Sequence, residues 1–265
     1  MPHEIRSISQ VGTSEPFKLQ VSRGQITGHK TNFKFGFNPD IDNALETVWA
    51  EGGLYSYLSA ASVLTVSSSS TDDTSAGTGA RTVQLYGLDA DYNEINEIVT
   101  LNGQTAVNTT NSFLRVNRMI IRSAGSGGEN AGVVYAGTGT VTAGVPANKY
   151  ATIAIGDNQT LMAIWTVPAG HTAYLYETHV TAACTTSNKL LTATIVARPD
   201  GEVFQVQDKF GIQIDGGDIR SVYHFPIKFD EKTDIEVRAI SDAGSANAEV
   251  SAGLEFIYIK NEVGV

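Results

Sequence analysis

The sequence predicts an all-β protein: two β-sandwich or jelly-roll-like domains preceded by an extended N-terminal arm and a short helix. Three observations carry this. Between Thr82 and Ile259, apolar and polar residues alternate with period two in one stretch after another, the pattern of half-buried strands. Turn residues punctuate these stretches at a spacing of roughly 8–14 residues, as in sandwiches and jelly rolls. Glycine is 26 of 265 residues, above the roughly 7% average, and charged residues are 17% against roughly 25%. The division drawn from these signals is an arm and linker over residues 1–52, a first β domain over 53–145 and a second over 146–265.

The elements follow in order. Residues 1–39 lack a helical period, but Phe33, Phe35 and Phe37 alternate with Asn32, Lys34 and Gly36, which reads as a strand. Such an arm suits pairing with a neighbouring chain, or a strand of its own domain. Over residues 40–51, Ile41, Ala44, Leu45, Val48 and Trp49 fit a helical stripe, with Asp40 or Asp42 to cap it and Gly52-Gly53 to end it. A strand is the alternative there. Ser62 to Ser70 and Thr82 to Leu88 read as strands on either side of a polar loop. Glu94 to Leu101 is another, and the Asn102-Gly103 pair after it signals a hairpin. Strands are also expected over Phe113 to Arg122, Val133 to Thr142 and Tyr150 to Ile155.

The second half repeats the grammar. Thr160 to Val167 is apolar, and Pro168-Ala169-Gly170 turns the chain into an alternating strand from His171 to Val180. Pro199-Asp200-Gly201 is a turn between Lys189–Ala197 and Glu202–Gln207. The run from Ile219 to Phe229 alternates cleanly, and Pro226 marks it as an edge. Ile235 to Ala239 and Ala248 to Ile259 complete the set.

Composition removes several functions. Eighteen basic and 28 acidic residues give a net charge of −10, and an acidic surface repels phosphate, so nucleic acid is excluded as a partner. No apolar run of about 18 residues exists to span a membrane, and Met1 to Gln10 carries no secretory signal. With Cys184 alone, neither an internal disulfide nor a cysteine-based zinc site can form.

Candidate chemistry fares no better. His171, Glu177 and His179 share a strand and would ligate a metal only if a third element converged on them; a solvated face is the plainer reading. Asp89-Ala90-Asp91-Tyr92-Asn93 starts like a calcium loop but lacks the glycine and the distal glutamate, so it reads as a polar hairpin. Asp215-Gly216-Gly217-Asp218 reads as a turn. Gly77 to Arg81 and Gly125 to Gly128 are glycine-rich without a following lysine and helix, so neither is a nucleotide loop. Cys184 reads as a small core residue, and Trp49 and Trp165 as core rather than a sugar platform. No catalytic residue, metal or cofactor is expected.

Two stretches carry a family resemblance. The first runs Glu46-Thr47-Val48-Trp49-Ala50-Glu51-Gly52-Gly53-Leu54-Tyr55-Ser56-Tyr57, then Val66 to Ser70, Asp73 to Val83, Tyr86-Gly87-Leu88-Asp89 and Val99 to Gly103. The second runs from Ile164-Trp165-Thr166-Val167-Pro168-Ala169-Gly170 to Leu175. Together they resemble virion structural proteins of tailed bacteriophages, especially marine and cyanobacterial ones. The resemblance implies a non-enzymatic protein of the virion, assembled in the host cytoplasm, with no catalytic residues to carry over. It is compatible with a trimeric head decoration protein on the major capsid protein, with a neck, tail or fibre-base part, or with a host-glycan binder. Phe33, Phe35, Phe37 and Trp49 are the candidate assembly contacts.

Overall fold

The structure is a computed structural model and describes residues 15–185, 188–213, 217–244 and 248–261. Its regular structure is almost entirely strand, in four antiparallel sheets. Sheet one has the order β1 (His29–Ile41), β16 (Ala248–Lys260), β11 (His171–Cys184), β14 (Gly217–Phe229). Sheet two has the order β10 (Ile164–Thr166), β15 (Asp234–Ser241), β12 (Leu190–Arg198), β13 (Gln205–Gln213), and β2 (Glu46–Thr47) also pairs with β15. Sheet three runs β6 (Val107–Phe113), β3 (Ser62–Ser68), β8 (Val134–Thr142), β9 (Val145–Ile153). Sheet four runs β5 (Glu94–Thr100), β4 (Ala80–Leu88), β7 (Arg115–Ala124).

The sheets pack in two pairs, each around its own core. Sheets one and two enclose Leu175, Val180, Ile195, Val237 and Leu254, all fully buried. Sheets three and four enclose Leu64, Leu85, Phe113, Met119 and Ile153. Each such side chain removed from water contributes about 1.5–3 kcal/mol. The alternation read in the sequence is the cause: on β15, β12 and β16, one set of alternate residues fills the gap between two layers about 10 Å apart.

The chain is distributed differently from the expected division. Strand β1 pairs along its length with β16, from His29↔Ile259 to Asn38↔Val250. Residues 29–48 therefore belong with the C-terminal strands, which makes a terminal unit. Residues 49–164 supply the other core and form an inserted unit. The N-terminal arm is, from His29 onward, a strand of its own chain; residues 1–14 of it lie outside the described residues.

Residues 40–51 are not helical. Strand β1 runs to Ile41, and Glu46–Thr47 pairs with Ala239 and Arg238. The apparent stripe is split: Ile41 and Val48 enter one core, Trp49 enters the other, and Ala44 and Leu45 are exposed. A helix would have pointed all five one way. The helix that does form, α1 (Phe17–Ser22), is too short to show a period, and only its Val21 is buried.

Asn102-Gly103 is a turn, with Gly103 at φ 60°, but not a hairpin. Its flanking strands β5 and β6 lie in different sheets. Asp89–Asn93 is the β4–β5 hairpin, held by Asp89 Oδ1 accepting from the Asp91 and Asn93 amides, both at 2.9 Å. Pro226 does sit on an edge strand, where a bulge lies between the Leu175↔Ile227 and Glu177↔Val222 pairs.

One glycine fixes how closely the two units approach. A Cβ on Gly36 would lie 2.3 Å from both the Ala163 amide nitrogen and the Val48 carbonyl oxygen. These are backbone atoms of the crossings between units and cannot swing aside. Gly36→Ala is expected to cost about 1–3 kcal/mol, read as a lower urea midpoint at unchanged slope.

Candidate assembly face

Strand β1 is an edge strand, and its phase is opposite to the simple expectation. Lys34, Gly36 and Asn38 are buried, while Phe33 is 45% exposed and Phe35 and Phe37 are half-buried. The reason is the second unit. The inner face of β1 lies against the chain crossings and β7, so small and polar residues fit there and the phenylalanines stand on the outside.

Registers across sheet one set the outer face as rows. Phe33, Glu255, Glu177 and Val222 form one row. Phe35, Gly253, His179 and Arg220 form the next, and Phe37, Ser251, Thr181 and Asp218 the third. Gly253 is required: a Cβ there would lie 2.1 Å from the His179 ring, which covers it. His179 in turn lies 5.8 Å from Phe33, and Phe33 stacks on Phe35 at 5.4 Å. The face is thus an aromatic strip across three strands.

Its borders are polar. Arg220 is hydrogen-bonded to Glu177 and holds that carboxyl below its ordinary range. Arg118, from β7, donates to the Phe33 carbonyl at 2.7 Å and lies 5.9 Å from the Phe35 ring. Helix α1 crosses the end of the strip, with Lys18 bonded to Glu255 at 3.3 Å and placed over the Tyr176 ring. A shallow apolar hollow opens between Leu19, Phe33 and Tyr176.

Trp49 is not on this face. It is 4% exposed, its indole donates to the Gly52 carbonyl at 2.8 Å, and it packs edge-on against Tyr55. It is a core residue of the inserted unit, so as an assembly contact it is withdrawn.

The histidines do not converge as a metal site. His171 Nδ1 is 2.9 Å from the Ala169 carbonyl oxygen, Glu177 is engaged by Arg220 and His179 lies on Gly253. Among the described residues no three His, Cys, Asp or Glu side chains are placed to share an ion. The two glycine-rich loops close on each other, the Gly125 amide bonding to the Gly79 carbonyl at 2.7 Å. Cys184 ends β11 half-buried.

Sequence reasoning missed the fastening between the units. Arg115 on β7 meets Asp234 on β15 through two hydrogen bonds of 2.8 and 3.0 Å, and Arg198 reaches the same carboxylate at 2.6 Å. No spacing in the sequence relates residues 119 positions apart.

No protein-family model matches the chain, and no curated protein matches it. Among solved structures it is similar to the infectious bursal disease virus Gx strain structure, at 12% identity over 89% of this chain and 77% of that one, with a TM-score of 0.24. It is also similar to the infectious bursal disease virus VP2 subviral particle, at 11% identity over 89% and 78%, with a TM-score of 0.22. At these TM-scores the superpositions are loose.

Proposed function

We propose that this chain is a non-enzymatic structural component of a bacteriophage particle, a head decoration protein that seats the aromatic strip of sheet one on a neighbouring virion protein. The observation that carries this is the outward phase of Phe33, Phe35 and Phe37. Single exposed apolar residues are ordinary, but three rings on the outer side of one edge strand, with Phe33 stacked on Phe35 and set beside His179, form a patch of the kind that partners cover. The bacteriophage resemblance of residues 46–103 and 160–175 supplies the class of partner: the major capsid protein, or alternatively neck and tail proteins.

The strand orders support a suitable scaffold. Sheets one and two read as the two layers of a jelly roll, with β2 and β10 sharing one strand position on β15 and the inserted unit lying between them in the chain. A disulfide-free shell component of this kind is stabilised by packing and by repetition in a closed oligomer, here a trimer.

The test combines location and mutation. Cryo-electron microscopy of particles is expected to show this chain repeated over the head; density at a single vertex would move it to the neck or tail. The Phe33→Ser/Phe35→Ser variant is expected to bind particles about 10–100-fold more weakly, given roughly 1.5–3 kcal/mol for each ring fully buried. Because both rings are partly solvated already, the isolated variant should keep its circular dichroism spectrum. Full occupancy by the variant at wild-type concentration would refute the docking face.

A further inference from the structure

Where the edge strand β1 meets the inserted unit, a cleft opens, bordered by Trp165 and Tyr258. Lys30, Asn32 and Lys34 alternate along β1 on the side turned toward it. The carboxylate in its wall, Glu94, is already engaged: Lys30 is bonded to it at 2.5 Å and the Tyr258 hydroxyl donates to it at 3.2 Å. Lys34 is 3% exposed and donates to the Asn117 carbonyl, with no carboxylate partner among the described residues. The Asn32 side-chain amide nitrogen is buried and has no hydrogen-bond partner. Arg118 stands in the same wall with one N–H given to the Phe33 carbonyl. Two basic side chains and an orphaned amide donor therefore border one cleft, in a chain of net charge −10, and the carboxylate in its wall is already taken up by Lys30 and Tyr258.

We propose that this cleft is a binding site for a small oxyanion, a carboxylate or phosphate group of a small molecule, held by Lys34, Arg118 and the Asn32 amide. The buried Asn32 donor without an acceptor is costly, and an oxyanion supplies several acceptor lone pairs at once, enough to engage Lys34 and Arg118 as well. The flanking rings of Trp165 and Tyr258 give the remainder of such a molecule an apolar surface.

The site couples binding to a proton. Burial, and then the neighbouring Arg118 charge, holds the Lys34 amine well below the ordinary lysine value. The other titratable groups lining the cleft are Arg118 on β7, Glu94 on β5, Tyr86 on β4 and Tyr258 on β16, with Lys30 of β1 bonded to Glu94. Of these, only Glu94 favours the ammonium form, and it is shared with Lys30 and Tyr258. A bound oxyanion favours that form directly, so binding takes up a proton and weakens as pH rises. The same shift means that Lys34 binds its proton less readily in the unliganded fold than in the unfolded chain, so its contribution to stability rises with pH from the lowered folded value up to about 10.4, the unperturbed lysine value. Lys34→Met removes that slope.

Isothermal titration calorimetry of the full chain with citrate and with inorganic phosphate, against sodium chloride of equal ionic strength, tests the site. Saturable binding of at least one anion is expected, with net proton uptake read from buffers of different ionisation enthalpy. The tighter anion identifies the carboxylate or the phosphate class. Arg118→Gln is expected to weaken binding about tenfold, and Lys34→Met to weaken it at least as much and abolish the proton uptake. The Arg118 change leaves the buried lysine in place, so it stands as the second variant if Lys34→Met folds poorly. No saturable binding of either anion overturns the proposal. So does binding that is unchanged in Arg118→Gln, which would place the anion elsewhere.

Discussion

Replacing Asp234 by alanine is expected to destabilise the protein by about 3–5 kcal/mol, the range found when one partner of a buried ion pair is removed. Asp234 is 3% exposed and stands at the start of β15, facing the inserted unit. Its Oδ1 accepts from Arg115 Nε at 2.8 Å and from the Thr166 hydroxyl at 2.6 Å. Its Oδ2 accepts from Arg115 Nη2 at 3.0 Å and from Arg198 Nη2 at 2.6 Å. One carboxylate thus serves two guanidinium groups, one from each unit, and the Tyr57 ring lies under both, at 4.9 and 4.6 Å. Without it, Arg115 keeps only the Leu58 and Leu114 carbonyls, and two like charges face each other in a poorly hydrated junction.

The loss should also change how the protein unfolds. The units are joined covalently only near residues 48–49 and 162–164, so much of their coupling runs through this network. Wild type is expected to melt in one transition and Asp234→Ala in two, seen by calorimetry. Arg198→Met should cost less, because that side chain is 28% exposed. A stability change under about 1 kcal/mol for Asp234→Ala would show that apolar contacts alone hold the junction.

The alternation that makes strands was legible in the sequence because it is local. Each run from Thr82 onward carries its own period, and β4, β11, β12, β14, β15 and β16 form where that period lies. Which strands pair is not local. Nothing in residues 29–41 indicates β16 as a partner some 220 positions away, since that follows from loop closure and from the last free edge of sheet one. The same limit explains the inverted phase of Phe33, Phe35 and Phe37: period two gives two faces, and only the second unit decides which is inside. Residues 40–51 misled for a related reason. Their stripe is shared between two cores, and a one-dimensional period cannot record that Val48 and Trp49 point into different ones. The cleft at Lys34 gave no signal at all, because a lysine between phenylalanines reads as the wet side of a strand.

Asp73→Ala is the second large expected loss, about 3–5 kcal/mol, and it tests a feature that composition alone had marked only as loop. Asp73 is fully buried among the residues that follow β3. Its Oδ1 accepts from the Ala80 amide at 2.7 Å and the Ala131 amide at 2.8 Å. Its Oδ2 accepts from the Gly132 amide at 2.9 Å and the Ser68 hydroxyl at 2.5 Å. Two chain segments therefore hang three backbone donors on one carboxylate and a third adds a hydroxyl, and glycines admit the approach: a Cβ on Gly79 would lie 2.2 Å from Asp73 Oδ1. Alanine leaves three amides without an acceptor, each costing about 1–3 kcal/mol if it stays dry, with some of that recovered as the loops relax toward water. Asp73→Asn separates charge and acceptor count from size. Its amide nitrogen must face donors on one side whichever way it is flipped, so the isosteric change should recover less than half of the loss. Urea denaturation of both variants, with Ser68→Ala as a reference that removes one donor only, decides the matter. An asparagine variant within about 1 kcal/mol of wild type would show that these loops are held by their glycine contacts and not by the carboxylate.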